Sequence, residues 1–354
     1  MTRISSFLVL AALAAVVAIG CQSVATTSAK LRNQEGNYDL AIKLAQEALA
    51  SNPNDAEAHF QLGVSYSYLD SVALAYDHFM KAKKLDPERA KDVDNNIQHN
   101  FAKHYKLGQS AFNRQDLKTA AMEFGLAVEA DPMQSAAYYN LGVAYSRLAL
   151  QDSTMHRQAL AAADKVLELS NPSEGNYTKA LQLAGRELVA MDREEEAISR
   201  FKRLIEEDPA SYKIIEDIGS DELNHKNYES AAVFLKMAAE ARAKVGADDA
   251  NVYYNIGVAL YNQRKTDPTR IDEAITYYQK ALDITPDQPD TVFNIYVAYI
   301  AKEDWANSAQ WGEKYVSLKP TDANGWKLLA RSYTELGDED KAAEAIKRYE
   351  MLSQ

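Results

Sequence analysis

One cysteine, nine prolines and fourteen glycines in 354 residues leave little material for disulfides or for a turn-rich β architecture. A lone Cys21 has no intrachain partner, so no disulfide framework is available. The longest apolar run, residues 7–19, is thirteen residues long, well short of the roughly twenty that a membrane-spanning helix needs. Positive charge is in deficit: 39 Lys+Arg stand against 51 Asp+Glu, a net −12. That balance argues against nucleic acid as a partner, because affinity for a phosphate backbone comes mainly from Lys and Arg releasing counterions. The phosphate-loop, nucleophile-elbow and H-E-x-x-H patterns are also missing. The six histidines are His59, His78, His99, His104, His156 and His225. His99 and His104 are five apart, do not share a helical face and have no cysteine to join them, so neither a metal nor a cofactor is expected. The acidic clusters Glu194-Glu195-Glu196 and Glu206-Glu207 suit solvated helix ends and turns. No enzyme is expected.

The first twenty residues form a separate object. Arg3 gives a short basic start, and the apolar run closes on Ala18-Ile19-Gly20-Cys21. A charged start, a short apolar core and small residues before a cut describe a cleaved signal peptide over 1–20. Small residues before a cysteine resemble the lipobox of bacterial lipoproteins, with Ala18 where Leu is usual. The resemblance implies a lipid attached to Cys21, removal of the chain's free thiol and firm anchoring by several acyl chains. Gln22, rather than Asp, follows the cysteine. By analogy with enterobacterial lipoproteins this favours an outer-membrane location facing the periplasm.

The remainder repeats. YYNLGVAY at Tyr138–Tyr145 returns as YYNIGVAL at Tyr253–Leu260. Nine units start near Gln22, Ala56, Phe101, Ser135, Thr178, Tyr212, Ala250, Pro289 and Ala323, and half of the spacings between them are 34 residues. A small residue at position 8 recurs (Ala29, Gly63, Gly108, Gly142, Gly185, Gly219, Gly257 and Ala330). Another at position 20 recurs (Ala41, Ala75, Ala120, Ala159, Ala197, Ala231, Ala274, Ser308 and Ala342). Proline near position 32 ends the second helix because it lacks the N–H that would continue it. Small residues on facing sides let two antiparallel helices approach closely, and larger ones fill the join to the next pair. Repeat 8 departs from the pattern, with Tyr296 at position 8 and Gly312 where an aromatic is expected. A size exchange within one interface accounts for both.

With Leu62, Gly63, Tyr66, Ala75, Phe79, Ala82 and Pro87 in step, the unit Ala56–Arg89 resembles the tetratricopeptide repeat (TPR). The resemblance implies an all-α fold, a right-handed TPR-type α-solenoid of about nine helix-turn-helix repeats after a cleaved lipoprotein signal peptide. Its domains would be 1–20 (signal peptide), 21–89 (lipidation site and repeats 1–2), 90–100 (a polar insertion or hinge) and 101–354 (repeats 3–9). The weak first helix, Val24–Glu35 with Thr26-Thr27-Ser28, is expected to fray, 90–100 to lengthen a helix or make a hinge, and 149–158 and 264–270 to be surface loops.

TPR arrays bind extended peptides or partner helices on a concave face lined by positions 2, 5, 9, 12 and 13 of helix A. Carried over by register, this face holds Phe60, Val64, Tyr68, Tyr105, Phe112, Tyr139, Val143, Arg147, Lys179, Arg186, Lys213, Tyr254, Val258, Tyr261, Phe293, Val297 and Ile300. Lys327 and Arg331 bring its cations to six, against Glu57, Glu216, Asp290 and Glu335. A basic groove in an acidic chain points to a ligand with aromatic or apolar anchors around an acidic middle. The expected function is a non-catalytic scaffold or adaptor on the bacterial envelope, serving pilus or secretion assembly or a cell-wall enzyme. The partners would be envelope proteins, with a lipid anchor in the membrane. The alternative is a surface lipoprotein that captures glycan or other small ligands.

Overall fold

The computed structural model describes residues 23–353, so the expected signal peptide and Cys21 lie outside the described residues. Among those described there are eighteen α-helices and no strand. The chain divides into two compact units, Met1–Met191 and Asp192–Gln354. The first holds α1 (Val24–Gln34), α2 (Tyr38–Ser51), α3 (Ala56–Tyr68), α4 (Val72–Leu85), α5 (Ala90–Asn113), α6 (Leu117–Ala130), α7 (Ser135–Ala149), α8 (Met155–Leu169) and α9 (Gly175–Ala190). The second holds α10 (Glu194–Glu207), α11 (Tyr212–Asn224), α12 (Tyr228–Lys244), α13 (Ala250–Asn262), α14 (Arg270–Ile284), α15 (Pro289–Ala301), α16 (Trp305–Leu318), α17 (Ala323–Leu336) and α18 (Glu339–Leu352). Odd-numbered helices are the first (A) and even-numbered ones the second (B) of each repeat, so the division falls inside repeat 5. From α1 to α9 and from α11 to α18 neighbouring helices pack in chain order, and helix A also touches the next helix A (α1 with α3, α7 with α9, α11 with α13). This is an α-solenoid architecture.

Position 8 shows why the pairs are tight. A Cβ on Gly63 would lie 2.5 Å from the Phe79 ring, and one on Gly257 2.5 Å from Tyr278. Both rings stand at position 24 of helix B and are fully buried. Repeat 8 reverses the arrangement: Tyr296 is fully buried, and a Cβ on Gly312 would meet its ring at 2.9 Å. The large and small partners have changed helices, and the contact is preserved.

The turn between helices A and B is a second constant. In seven repeats position 15 has a positive φ: Gly36, Asp70, Gln115, Asp192, Lys226, Glu303 and Gly337. The amide after it closes back onto the helix, as Asp304 N–H to the Tyr299 carbonyl (3.0 Å) and Asp338 N–H to Tyr333 (3.0 Å). That six-to-one bond satisfies a carbonyl orphaned at the helix end. The same residue then caps helix B: Asp304 accepts from Asn307 N–H (3.2 Å) and Asp338 from Lys341 N–H (3.1 Å). Repeats 4 and 7 are linked instead through 150–154 and 263–269. The first of these is shorter than the 149–158 loop expected, because helix α8 already begins at Met155.

One expectation changes, and one alternative is resolved. Helix α1 is regular from Val24 onward, capped by Ser23. The residues that argued against it are used: Thr26 is buried and its hydroxyl donates to Asp55 (2.6 Å), while Ser28 bonds back to the Val24 carbonyl (2.8 Å). Residues 90–100, expected to lengthen a helix or make a hinge, lengthen a helix: they are the start of the unbroken 24-residue α5. Val93 and Ile97 pack with Ala75, Phe79 and Ala82, giving the polar stretch an apolar stripe at i, i+4 spacing.

In repeat 2, His59 and His78 meet with their Nδ1 atoms 2.9 Å apart. His59 Nε2 is 3.2 Å from the Pro53 carbonyl, which can only accept, so His59 carries its proton on Nε2 and its Nδ1 accepts from His78. Burial, followed by the charge of the facing ring, pushes His78 down to about 4. His59 is also lowered, chiefly by burial. Unfolded histidines bind protons near pH 6.5, so the pair's contribution to stability is complete above that value and lost as pH falls toward 4. Urea titrations across pH 6.5 to 4 are predicted to show a smaller drop in stability for His78→Phe than for wild type; equal slopes contradict the assignment.

A left-handed conformation costs a side-chain-bearing residue about 1–2 kcal/mol, against which glycine's extra chain entropy offsets about 0.5–1. Glu303→Gly, at φ 57°, is therefore expected to raise stability by roughly 0.5–1 kcal/mol. Glu303→Val is expected to lower it, both read by chemical denaturation.

Candidate functional site

None of the seventeen side chains assigned by register to the helix-A face is buried. At 3.6 residues per turn, positions 2, 5, 9, 12 and 13 share one side of helix A, and positions 8 and 11 turn toward the core. Each unit presents its own section of this face.

In the first unit, Phe60 lies 5.7 Å from Phe79 under the Arg89 guanidinium at 5.4 Å, beside Val64. Tyr68 is 66% exposed and stacks flat on Tyr38 (4.6 Å, 8°), a partner that the register did not indicate. Tyr105 stacks on Phe101 (5.3 Å), and its hydroxyl accepts from Asn140 Nδ2 (2.8 Å), so it ties repeat 3 to repeat 4 as much as it faces outward. Arg147 lies over Phe112 at 4.5 Å, and Lys179 over Tyr139 at 5.8 Å, next to Val143. Burial raises the Tyr139 phenol, and the Arg186 charge opposes that rise, which puts Arg186 within electrostatic reach of the same ring. The cations here therefore gather around aromatic faces, where the ring quadrupole attracts them.

Among the described residues no carboxylate pairs with this group. Glu57, counted as a groove acid from the sequence, is 5% exposed; Arg89 pairs with it and Gln61 donates to it (2.7 Å). Glu187, adjacent to Arg186 in sequence, is 3% exposed and accepts from His156 Nδ1 (2.6 Å) and Ser146 Oγ (2.5 Å). The ion pairs of the described residues include none to Arg147, Lys179 or Arg186. The section is more strongly basic than the count by letters implied.

In the second unit, Tyr254 packs on Tyr278 (5.9 Å) and Phe293 on Tyr315 (4.8 Å), and Val258, Val297 and Ile300 are half-buried. Tyr261 lies under Arg264 (4.0 Å); burial raises its phenol, and Arg264 opposes this. Lys213 is exposed. Arg331 covers Trp305 (5.3 Å) and Lys327 covers Tyr349 (5.8 Å). Glu216 is held by Arg242 (2.8 Å), while Asp290 and Glu335 are exposed. This section is apolar and nearly balanced in charge. Arg89, Tyr38, Asn140 and Arg264 shape the face yet lie outside the repeat register that selected the others. Among the described residues there is no group of three or more side chains able to hold a metal, and no helix is long and apolar enough to cross a membrane.

Comparison with known proteins agrees with the helix pairs. The tetratricopeptide repeat family model matches residues 27–90 and 216–289, one stretch in each unit. The chain is 22% identical over 310 residues to the BBSome complex member BBS4 of Bos taurus, covering 88% of this chain and 47% of that protein. It is 24% identical over 190 residues to a DnaJ homolog subfamily C member 7 homolog of Schizosaccharomyces pombe, covering 52% of this chain and 38% of that one. It thus spans about half or less of these relatives' lengths. A solved C-terminal part of a TPR repeat-containing protein from Cytophaga hutchinsonii is similar at 17% identity and TM-score 0.42, over 70% of this chain and 95% of that one. Repeat signatures matched in each unit, together with the helix pairs within each, support a tetratricopeptide repeat protein, and such repeat arrays are typically non-catalytic scaffolds for protein–protein interaction.

Proposed function

We propose that this protein is an adaptor of the bacterial cell envelope, held through lipid on Cys21 at the outer membrane and facing the periplasm. Its helix-A face takes an extended peptide or a helix of an envelope protein, in pilus or secretion assembly or beside a cell-wall enzyme. The observation that carries the reading is the first unit's section, where Arg147, Lys179 and Arg186 gather at the Phe112 and Tyr139 rings without a carboxylate partner. Cations over aromatics in a groove suit an acidic segment flanked by aromatic or apolar anchors. The anchors supply buried area and the charges supply register and on-rate. The anchor itself rests on the sequence alone, on Cys21 preceded by small residues and an apolar run.

A photo-crosslinking residue placed at Val143 in living cells tests both parts. The expected result is one crosslinked envelope protein, absent when the crosslinker is moved to exposed Met122 on α6. Its yield should fall at least about tenfold when Arg147, Lys179 and Arg186 are all changed to Glu. A Cys21→Ser change should move the protein from the membrane to the soluble fraction. A product that survives charge reversal contradicts the assigned face, and membrane retention of Cys21→Ser contradicts the tether.

A further inference from the structure

Positions 4 and 11 of helix A lie about half a turn from positions 2 and 9, on the side of the pair away from the face described above. There position 4 meets position 23 of helix B. In repeat 2 the two are His59 and His78; in repeat 3, His104 and Glu123 (2.8 Å); in repeat 7, Tyr253 and Tyr277, stacked at 6.3 Å and 27°. Repeat 8 has Trp311 at position 23, packed on the core of the second unit. Repeat 9 has Ala345.

The missing side chain leaves a space. An open pocket of about 440 Å³ lies between α16, α17 and α18, with Ala345 as part of its floor and Trp326, the position-4 residue, as a wall. Val316, Leu329 and Tyr333 complete the apolar lining, and Glu313, Lys341 and Glu344 stand at the rim. A volume of this size falls in the range of ordinary ligand pockets.

Repeat 7 shows what such a space holds. The Tyr277 ring has Lys236 Nζ at 5.6 Å and Lys280 Nζ at 4.9 Å, and Lys236 pairs with Glu273 (2.5 Å). In repeat 9 Glu313 stands at the position of Lys236 and Lys341 at that of Glu273. They form the same cross-repeat pair with the signs exchanged (3.3 Å). In repeat 8 the ring likewise has a lysine one turn on, Lys314 Nζ at 5.5 Å from Trp311. Where a filled site carries a lysine beside its ring, the vacant site offers carboxylates, Glu313 and Glu344 against the single Lys341.

We propose that this pocket is a docking site for an aromatic side chain of a partner helix, a Tyr or Trp followed by Lys three residues later. The ring lies on Trp326 above Ala345 as Tyr277 lies on Tyr253, and the lysine ammonium sits at Glu313 and Glu344. A buried aromatic contributes a large contact area for few frozen torsions, which suits a single anchoring residue. This site is separate from the helix-A face and takes a ligand of opposite charge, so the fate of one does not decide the other.

The test uses the whole protein and a lactam-stapled, fluorescein-labelled peptide with the sequence Arg270–Ile284, which presents Tyr277 and Lys280. Fluorescence anisotropy should show saturable binding to wild type, weakened at least about tenfold by a Tyr277→Ala change in the peptide. Ala345→Tyr in the protein should fill the pocket, raise the thermal midpoint and weaken the peptide to the same degree. Ala345→Leu, a smaller filling, provides the same reading if the tyrosine disturbs α18. Glu313→Gln with Glu344→Gln should weaken the wild-type peptide but not one carrying Lys280→Ala. Absence of saturable binding, or equal binding by the filled variants, overturns the proposal. So does p-cresol binding as tightly as the peptide, which would make the pocket a small-molecule site. Concentration-dependent self-association abolished by Ala345→Tyr would assign the pocket to a second copy of the chain and overturn it as well.

Discussion

The contact between position 8 of helix A and position 24 of helix B sets the rest of the structure. A ring or a leucine on one helix lies where a Cβ on the other would be about 2.5–2.9 Å away, at Gly63, Gly108, Gly219 and Gly257. Such proximity fixes the rotation of each helix about its own axis. Positions 8 and 20 are then committed to the interior, positions 2, 5, 9, 12 and 13 to one outer side, and positions 4 and 11 to the opposite, largely buried side where helix A meets position 23 of helix B. A helix pair cannot bury its apolar surface alone, so each pair also presents surface to the next, and Val93 with Ile97 extends that packing in α5.

The two proposed sites lie on different sides of the helix pairs and are chemically unlike. The helix-A side of the first unit collects cations on aromatic rings, and among the described residues no carboxylate pairs with them. The opposite side is filled in repeats 2, 3, 7 and 8 by paired rings, a histidine–carboxylate contact or a tryptophan, and is left open in repeat 9 beside Trp326. Both arise from substitutions that do not disturb the interlocked pair, which explains how a repeat can vary its partners while keeping its fold. Fold alone does not assign a function; the charges and vacancies placed on it do.

Much of this was legible as letters. The spacing of Gly63, Ala75, Phe79 and Pro87 names the helix pair, and the exchange of Tyr296 with Gly312 is visible before any coordinates. The left-handed turn was not legible, because Asp70, Gln115, Lys226 and Glu303 share it with Gly36 and Gly337 and only glycine announces it. Charge at the groove was misjudged at Glu57, whose partner Arg89 lies 32 residues away outside the register. Thr26-Thr27-Ser28 looked unfavourable for a helix until the Thr26 hydroxyl found Asp55. The pocket of repeat 9 was invisible as well: an alanine in a helix gives no signal unless the neighbouring repeats show what it replaces.

The fold depends on the position 8–24 interlock rather than on which helix carries the large residue. A double-mutant cycle in repeat 8 tests it. Tyr296→Gly alone opens a cavity and should cost about 3–5 kcal/mol by urea denaturation, and Gly312→Phe alone overpacks and should cost about 1–3 kcal/mol or more. The double variant restores the arrangement of repeats 2 and 3, and should be more stable than either single variant. Destabilisations that simply add would contradict the account.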